Sequence, residues 1–350
     1  MLFKKIDSQT KQLTAICLVL FVIMTFLRPV MFLRPININT MLEQLAEPGL
    51  FALAMSITMI AGGINLSIVN IANLVGIVNG IIIRTAITPE TTNEQTTIIL
   101  LICVLVAIGI GLVCGLINGF LIAKMGILPI LATLGTQSLF MGISMIITQG
   151  RAEGNFPQIL LDLGNKNVLA FEGFLGVPLV TVFFFSLFAL LCIVVHKTPY
   201  GLKLQFYGSN SRASFFSGID NKKVVYATHL LSAFIAALAG LIIMARTNSA
   251  KATYGQIYVF ETILICVLAG ITPLGGRGKI YNIIIALLAL QIVSTGFNMM
   301  RISPLIRDSL FGFLLVFSIL VDHILRKRRM DKLNQSAIAS SKTKQANIQT

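Results

Sequence analysis

Residues 98–123 read Ile-Ile-Leu-Leu-Ile-Cys-Val-Leu-Val-Ala-Ile-Gly-Ile-Gly-Leu-Val-Cys-Gly-Leu-Ile-Asn-Gly-Phe-Leu-Ile-Ala, with no charged residue. A helix needs about 20 mainly apolar residues to cross the hydrocarbon core of a bilayer, and this run is long enough. The rest of the chain has the same character. Of its 350 residues, 56% are hydrophobic and 11% charged, whereas an average soluble domain is about 25% charged. So little charge cannot coat a soluble globule of this size. The apolar content excludes disorder, the lack of a glycine period excludes collagen, and five cysteines are too few for a disulfide scaffold.

Nine further apolar runs flank the first, at about 13–33, 49–63, 66–84, 128–148, 177–196, 224–246, 256–274, 280–300 and 305–325. No small-x-small cleavage site follows the 13–33 run, so it reads as a retained span rather than a signal peptide. The expected fold is an all-α polytopic membrane protein of about ten transmembrane helices. Residues 1–325 form one transmembrane domain, and 326–350 form a basic cytoplasmic tail, disordered beyond about Leu333.

The formal net charge of +14 could signal nucleic acid, anionic lipid or topology. Placing the N-terminus in the cytoplasm puts 18 of the 27 Lys and Arg inside, including Lys4, Lys5, Lys11, Lys124, Lys197, Lys203, Arg212, Lys222, Lys223, Arg277, Lys279 and the run from Arg326 to Arg329. Only four of the 13 acids, Asp7, Asp220, Asp322 and Asp331, fall on that side. The whole excess is then cytoplasmic, as topology requires, and no nucleic-acid partner is expected. An even number of spans leaves both termini inside. The basic tail is expected to meet anionic lipid.

The polar segments carry the function. Loops 85–97 and 149–176 lie outside, where an external protein could dock; the second could equally be an interfacial helix with a linker. The largest inner loop is 197–223. Within it Gly208-Ser209-Asn210 reads as a helix start, with Ser209 or Asn210 able to cap, and Gly218 as its end. This short helix is either a rigid body that another protein pushes or an interfacial helix lying on the bilayer. Gly62-Gly63-Ile64-Asn65-Leu66-Ser67 divides two apolar runs. It is either irregular backbone lining a solute path or a tight cytoplasmic turn. Asn70 and Asn73 follow on one helix face that should point inward. Gly270 to Lys279 superficially resembles a phosphate loop, but Pro273 and Ile280 break that pattern, and it reads as a glycine-rich inner turn.

Charge within spans is costly. Glu261 either lines the pathway or bonds a neighbouring helix, and Asp308 is expected to pair with Arg307 or Arg301. Asp322 and His323 read as interfacial. Cys17, Cys103, Cys114, Cys192 and Cys266 all sit in apolar runs without metal-ligand spacing and read as packing residues. The three histidines, His196, His229 and His323, form no metal or triad motif. No metal site, catalytic residue or bound cofactor is expected in this chain. Glu261 is nearly alone as an intramembrane acid, which argues against a proton-coupled carrier.

Four segments together resemble the permease subunits of bacterial ABC sugar importers, the ribose, xylose, galactose and autoinducer-2 group, over about residues 40–325. Gly63-Ile64-Asn65-Leu66-Ser67 is similar to that family's Gly-Ile-Asp-Leu-Ser, with Asn in place of Asp. Ile130-Leu131-Ala132-Thr133-Leu134-Gly135 with Gly142 forms the second match. The third runs from Thr198-Pro199-Tyr200-Gly201 through Tyr207-Gly208-Ser209-Asn210 to Ser217-Gly218-Ile219, and the fourth from Leu268-Ala269-Gly270 to Gly275-Gly276-Arg277-Gly278.

The resemblance implies an ABC importer permease fold in the bacterial inner membrane. It implies a cytoplasmic ABC ATPase partner that binds ATP, a periplasmic or other extracytoplasmic sugar-binding protein, and a second permease copy or homologue. Loop 197–223 becomes the coupling segment, with Gly208, Ser209, Asn210, Ser217 and Gly218 facing the ATPase. Asn65, Ser67, Asn70, Asn73 and Glu261 become the expected translocation path. Gly208→Trp is then expected to uncouple ATP hydrolysis from uptake without unfolding the chain. The alternative is a stand-alone secondary carrier for a small polar solute.

Overall fold

The computed structural model describes residues 8–87, 91–168, 176–276, 278–320 and 324. Lys4, Lys5, Asp7, Pro89, Glu90, Arg277, Asp322, His323 and the tail 326–350 lie outside the described residues. The helices are α1 (Ser8–Leu27), α2 (Pro29–Phe32), α3 (Pro35–Ile60), α4 (Ile68–Ala86), α5 (Asn93–Ala123), α6 (Pro129–Thr148), α7 (Gln158–Asn165), α8 (Leu179–Lys197), α9 (Pro199–Ser209), α10 (Ser211–Phe216), α11 (Asn221–Thr247), α12 (Tyr258–Leu268) and α13 (Asn282–Met299). Residues 304–320 are also helical. The all-α expectation omits four two-residue strands. β1 (Glu153–Gly154) pairs antiparallel with β4 (Ser249–Ala250), and β2 (Asn167–Val168) with β3 (Val177–Pro178).

Among the described residues, seven helices are long and apolar enough to cross a membrane: α1, α4, α5, α6, α8, α11 and α13. The chain is a multi-pass, helical membrane protein. The span expected at 49–63 is longer, since α3 starts at Pro35 and every residue from Leu45 to Ile60 is buried. Protein rather than lipid surrounds this helix, so it can carry Glu43, Gln44 and Glu47, the residues that conceal its first half from a hydropathy reading. The span expected at 256–274 is only partly helical. At about 1.5 Å per residue, the 11 residues of α12 reach roughly 16 Å, about half of the hydrocarbon core. The segment 249–257, a two-residue strand followed by turns, precedes it.

Two helices organise the bundle. α3 packs against α8, α11, α12 and α13, and α11 packs against α3, α4 and α5. The α5–α11 contact is close because Gly111, Gly115 and Gly119 form one stripe on α5. A Cβ at Gly115 would meet the His229 carbonyl at 2.9 Å, and one at Gly111 would meet the Ala237 Cβ at 2.7 Å. Small residues four apart let helix backbones approach in lipid. α1 runs parallel to α13: Thr10 donates to Asn282 at 3.0 Å at one end, and Gly296 faces Met24 at the other. One end of the bundle therefore gathers the starts of α1, α11 and α13 with α9, α10 and both glycine-rich breaks. The opposite end carries α7 and the strand pairs.

Candidate functional site: a glycine junction beneath a buried amide chain

Three segments far apart in sequence meet at that first end. α3 stops at Ile60, and its carbonyl accepts from the Gly276 N–H at 2.9 Å. α9 lies against the same point. A Cβ on Gly208 would run into the Ile60 carbonyl, with the Gly276 nitrogen 2.6 Å away, so only glycine allows this backbone-to-backbone approach. Gly275 and Gly276 both have positive φ, near +80°, which turns the 270–276 segment under α9 at little conformational cost. The Ser209 hydroxyl donates to the Gln205 carbonyl at 2.8 Å and to the Gly276 carbonyl at 3.3 Å. The end of α3, the loop helix α9 and the glycine-rich turn thus form one backbone junction.

The loop expected at 197–223 is itself mostly helical. Asn210 leaves α9 in an extended conformation and caps α10, its Oδ1 accepting from the Arg212 and Ala213 N–H groups at 3.0 Å each. Gly218, at φ +78°, follows the C-cap residue Ser217. Asn221 ties the loop back to α11: its Nδ2 donates to the Ser211 carbonyl at 2.7 Å and its Oδ1 accepts from Ser214 at 2.9 Å. Asp220 caps α11 through the Lys223 N–H at 3.2 Å, a bond that holds its carboxyl below the usual carboxylate range. Of the five expected coupling residues, Gly208 faces inward onto the junction, whereas Ser209, Asn210, Ser217 and Gly218 are exposed. Beside them Phe215 is 66% exposed and Phe216 85%.

Directly above the junction, residues 63–67 leave the helical path. This is not a surface turn, because Asn65 and Ser67 are fully buried. The Asn65 Oδ1 accepts from the Ser67 N–H at 3.1 Å and the Ser67 hydroxyl at 2.7 Å, and its Nδ2 donates to Ser232 at 3.1 Å. The Asn118 Nδ2 donates to the Ser67 Oγ at 2.9 Å, and Thr136 donates to the Asn118 Oδ1 at 2.6 Å. Thr133 closes the break by donating to the Ile64 carbonyl at 2.9 Å. Ser232 lies about three turns, or roughly 16 Å, along α11 from Asn221. Irregular backbone therefore sits inside the bundle, with its polar groups satisfied by α5, α6 and α11, as a low-dielectric setting requires.

On the other side of the bundle α4 clips the turns that lead to α12. The Asn73 Nδ2 donates to the Ala252 and Tyr254 carbonyls at 3.1 and 2.9 Å, and the Asn70 Oδ1 accepts from Gln256 at 2.8 Å. The Asn70 Nδ2 is buried without a partner among the described residues. Glu261, in the first turn of α12, is half-buried and stands apart from Asn65 and Ser67. Asp308 pairs with Arg307 at 3.1 Å, as expected. His229 is buried, and its Nδ1 has no partner among the described residues.

Sequence reasoning missed a buried ion pair. Glu47 faces Arg246 at 3.1 Å and accepts from the Tyr258 hydroxyl at 2.6 Å, which links α3, α11 and the start of α12. Glu47 in an apolar helix was the available signal, but nothing in the spacing names a partner some 200 residues away. Asn118, Thr136, Ser232 and Gln256 were missed for the same reason.

Residues 37–319 match the family described as branched-chain amino acid transport system / permease component, and the chain belongs to that family. It is similar to the ribose import permease protein RbsC of Bacillus subtilis, with 32% identity covering 87% of this chain and 89% of the relative. The ribose import permease protein RbsC of Haemophilus influenzae is 28% identical, covering 84% and 87%. The autoinducer 2 import system permease protein LsrD of Photorhabdus temperata is 26% identical, covering 82% and 84%. No solved structure matches the chain significantly. The protein is a permease subunit of an ABC importer and not an enzyme, with ATP hydrolysis in a separate chain.

Proposed function

We propose that this permease carries a monosaccharide or similar small polar solute into the cytoplasm across the bacterial inner membrane. The chain crosses ten times: α1, α3, α4, α5, α6, α8, α11, the 249–268 segment, α13 and the 304–320 helix. The glycine end, where the described basic groups Lys11, Lys124, Lys197, Lys203, Arg212, Lys222, Lys223 and Lys279 lie, faces the cytoplasm with both termini. The names of the relatives support a ribose-like or autoinducer-2-like solute.

A cytoplasmic ABC ATPase seats on α10 through Phe215, Phe216, Ser217 and Gly218, with Ser209 and Asn210 at its edge. The observation that carries this reading is the glycine junction. Through it, displacement of α10 moves α9, and α9 cannot shift without pressing on the end of α3 and the break that carries Asn65 and Ser67. Asn70, Asn73 and Glu261 stand along the second break, and the two breaks border the solute path. A second permease copy or homologue completes that path, and an extracytoplasmic solute-binding protein delivers to the opposite end. Binding of ATP and of the loaded binding protein shifts the population toward an outward-open state.

The test is uptake of labelled ribose into vesicles that contain the permease, its co-purifying ATPase and the binding protein. Uptake should require internal-face ATP and survive collapse of the proton gradient. Uptake driven by a proton gradient with no ATPase present would instead establish a stand-alone carrier.

A further inference from the structure

A cavity of about 290 Å³ lies between α5, α8 and α11, with Ile83 of α4 also in its wall and α7 across its end. It is away from the glycine junction, and Met244 and Ala245 separate it from the 249–257 segment. Every side chain lining it is apolar; Cys103 and Val104 of α5, Phe183 of α8, Leu241 of α11 and Leu163 of α7 mark its walls. Water needs two to four polar partners to occupy such a space, and a sugar needs convergent polar groups to orient it. Neither is provided. Left empty, the walls would forfeit dispersion contacts on one side.

The cavity is open sideways. α5 packs on α11 and α8 on α3, and the space between α5 and α8 reaches the flank where Val104, Phe183 and Leu163 are exposed. Leu101 and Leu105, farther round the same face of α5, are 61% and 69% exposed, so this flank is apolar and open, as a surface that meets bilayer hydrocarbon must be. α7 forms the roof and is amphipathic. Gly164 sits so close to the Ala245 carbonyl that a Cβ would clash with it, while Asp162 and Gln158 pair on the opposite, exposed side. Lys166, exposed directly after α7, accepts at its carbonyl from the N–H of Leu179, a lining residue, and so adds a positive charge at the α7 end of the cavity.

We propose that the cavity is a binding site for one acyl chain of a membrane phospholipid. The tail enters between α5 and α8 and ends against Leu238 and Leu241 of α11, and the headgroup phosphate meets Lys166. The occupant comes from the leaflet on the α7 side. It fills a space where α11, the hub of the bundle, would otherwise have an unpacked face.

The test uses the full chain in vesicles of phosphatidylethanolamine and phosphatidylglycerol, with a diazirine on one acyl chain. After irradiation, mass spectrometry should find adducts on Leu238 or Leu241 as well as on Leu101 and Leu105. Leu241→Trp, which fills the cavity, should reduce the α11 adducts at least tenfold and leave those on Leu101 and Leu105 unchanged. Lys166→Ala should reduce the α11 adducts several-fold. Labelling of Leu101 and Leu105 with none on α11 would overturn the proposal, whether the cavity were empty or covered by a protein helix. So would α11 adducts that persist in Leu241→Trp. If that variant does not fold, native mass spectrometry of the wild type decides: one phospholipid retained through detergent exchange supports the site, and none overturns it.

Discussion

The two breaks that flank α4 are built in opposite ways. At residues 63–67 the polar groups satisfy one another in a chain that runs from Ser232 through Asn65, Ser67 and Asn118 to Thr136, crossing four elements. At residues 249–257 the strand Ser249–Ala250 pairs with β1, and the turns that follow it are held by two side chains of a single helix, Asn70 and Asn73, with the Asn70 Nδ2 left without a partner among the described residues. A closed chain resists piecemeal movement, because losing any one member orphans its neighbours. The turns at 252–256, whose side-chain bonds come from one helix, can open with fewer losses. The first break is also backed by the glycine junction, whereas the second is anchored only at its ends, by the β1–β4 pair at 249–250 and by the Tyr258 bond to Glu47. The difference suggests that the first break transmits force as a block while the second is the part that rearranges.

The strongest way to break this contrast is at Gly208. The sequence alone led to the expectation that Gly208→Trp would leave the permease folded and only uncouple it. With the Ile60 carbonyl against the missing Cβ, an indole has no room unless α9 lifts off. Gly208→Trp should therefore abolish uptake and also lower the yield of folded permease. Gly208→Ala should lower uptake at least tenfold while the chain still inserts. Both are read by transport assay and size-exclusion recovery, and full uptake by Gly208→Ala would remove the junction from the mechanism.

Asn65 gives the next largest effect. Asn65→Leu strands the Ser67 hydroxyl and N–H together with Ser232, at about 1–3 kcal/mol for each buried group left unpaired, and should lower the unfolding temperature by several degrees. Asn65→Asp should destabilise less than Asn65→Leu, the kept bonds offsetting part of the cost of a charge at a fully buried position. One carboxylate oxygen keeps both bonds to Ser67, and the Ser232 hydroxyl can rotate to donate to the other. The site thereby accommodates either the amide found here or the acid that the family resemblance leads one to expect. An Asp variant as unstable as the Leu variant would show that the amide hydrogens, not the oxygen, hold the break.

Asn73→Ala probes the weaker clip. It removes two bonds to backbone carbonyls, at about 1 kcal/mol each. Hydrogen exchange should rise at residues 252–257 and stay unchanged at 63–67. Faster exchange at both segments would mean that the two breaks move as one.

Much of this design was legible in advance, and the rest was hidden for definable reasons. The runs at 98–123, 128–148 and 177–196 became α5, α6 and α8 almost residue for residue, because helices exposed to lipid must be apolar nearly all round. The break at Gly62–Ser67 was visible because a glycine pair and an amide interrupt an apolar run. The break at 249–257 was not, since Ser249, Lys251, Thr253 and Gln256 read as an ordinary outer loop between two spans, and only the fold brings residues 252–256 against Asn70 and Asn73. α3 was truncated in the reading because buried polar residues such as Glu47 depress hydropathy without facing lipid. The inward-facing role of Gly208 could not be seen, because Ile60 and Gly276 are distant in sequence and only the fold brings them together. The stripe Gly111, Gly115, Gly119 was a readable signal of close helix packing that the composition of the run obscured.

The smallest effect belongs to the exposed end of the coupling path. Asn210→Ala removes the two bonds that start α10, a loss of about 1 kcal/mol. Because α10 is anchored again by Asn221 at its other side, the helix should loosen rather than unfold, and the unfolding temperature of the whole permease should not move measurably. What should change is the partner: α10 presents Phe216 to it, and a frayed helix presents that ring in many orientations. Co-purification of the ATPase should fall several-fold in Asn210→Ala, recover in Asn210→Asp, which can still accept both N–H bonds, and fall at least as far in Phe216→Ala. If ATPase recovery follows Asn210 but ignores Phe216, the contact lies on the α9 side of the loop. The junction and the docking surface would then be a single site rather than two ends of a lever.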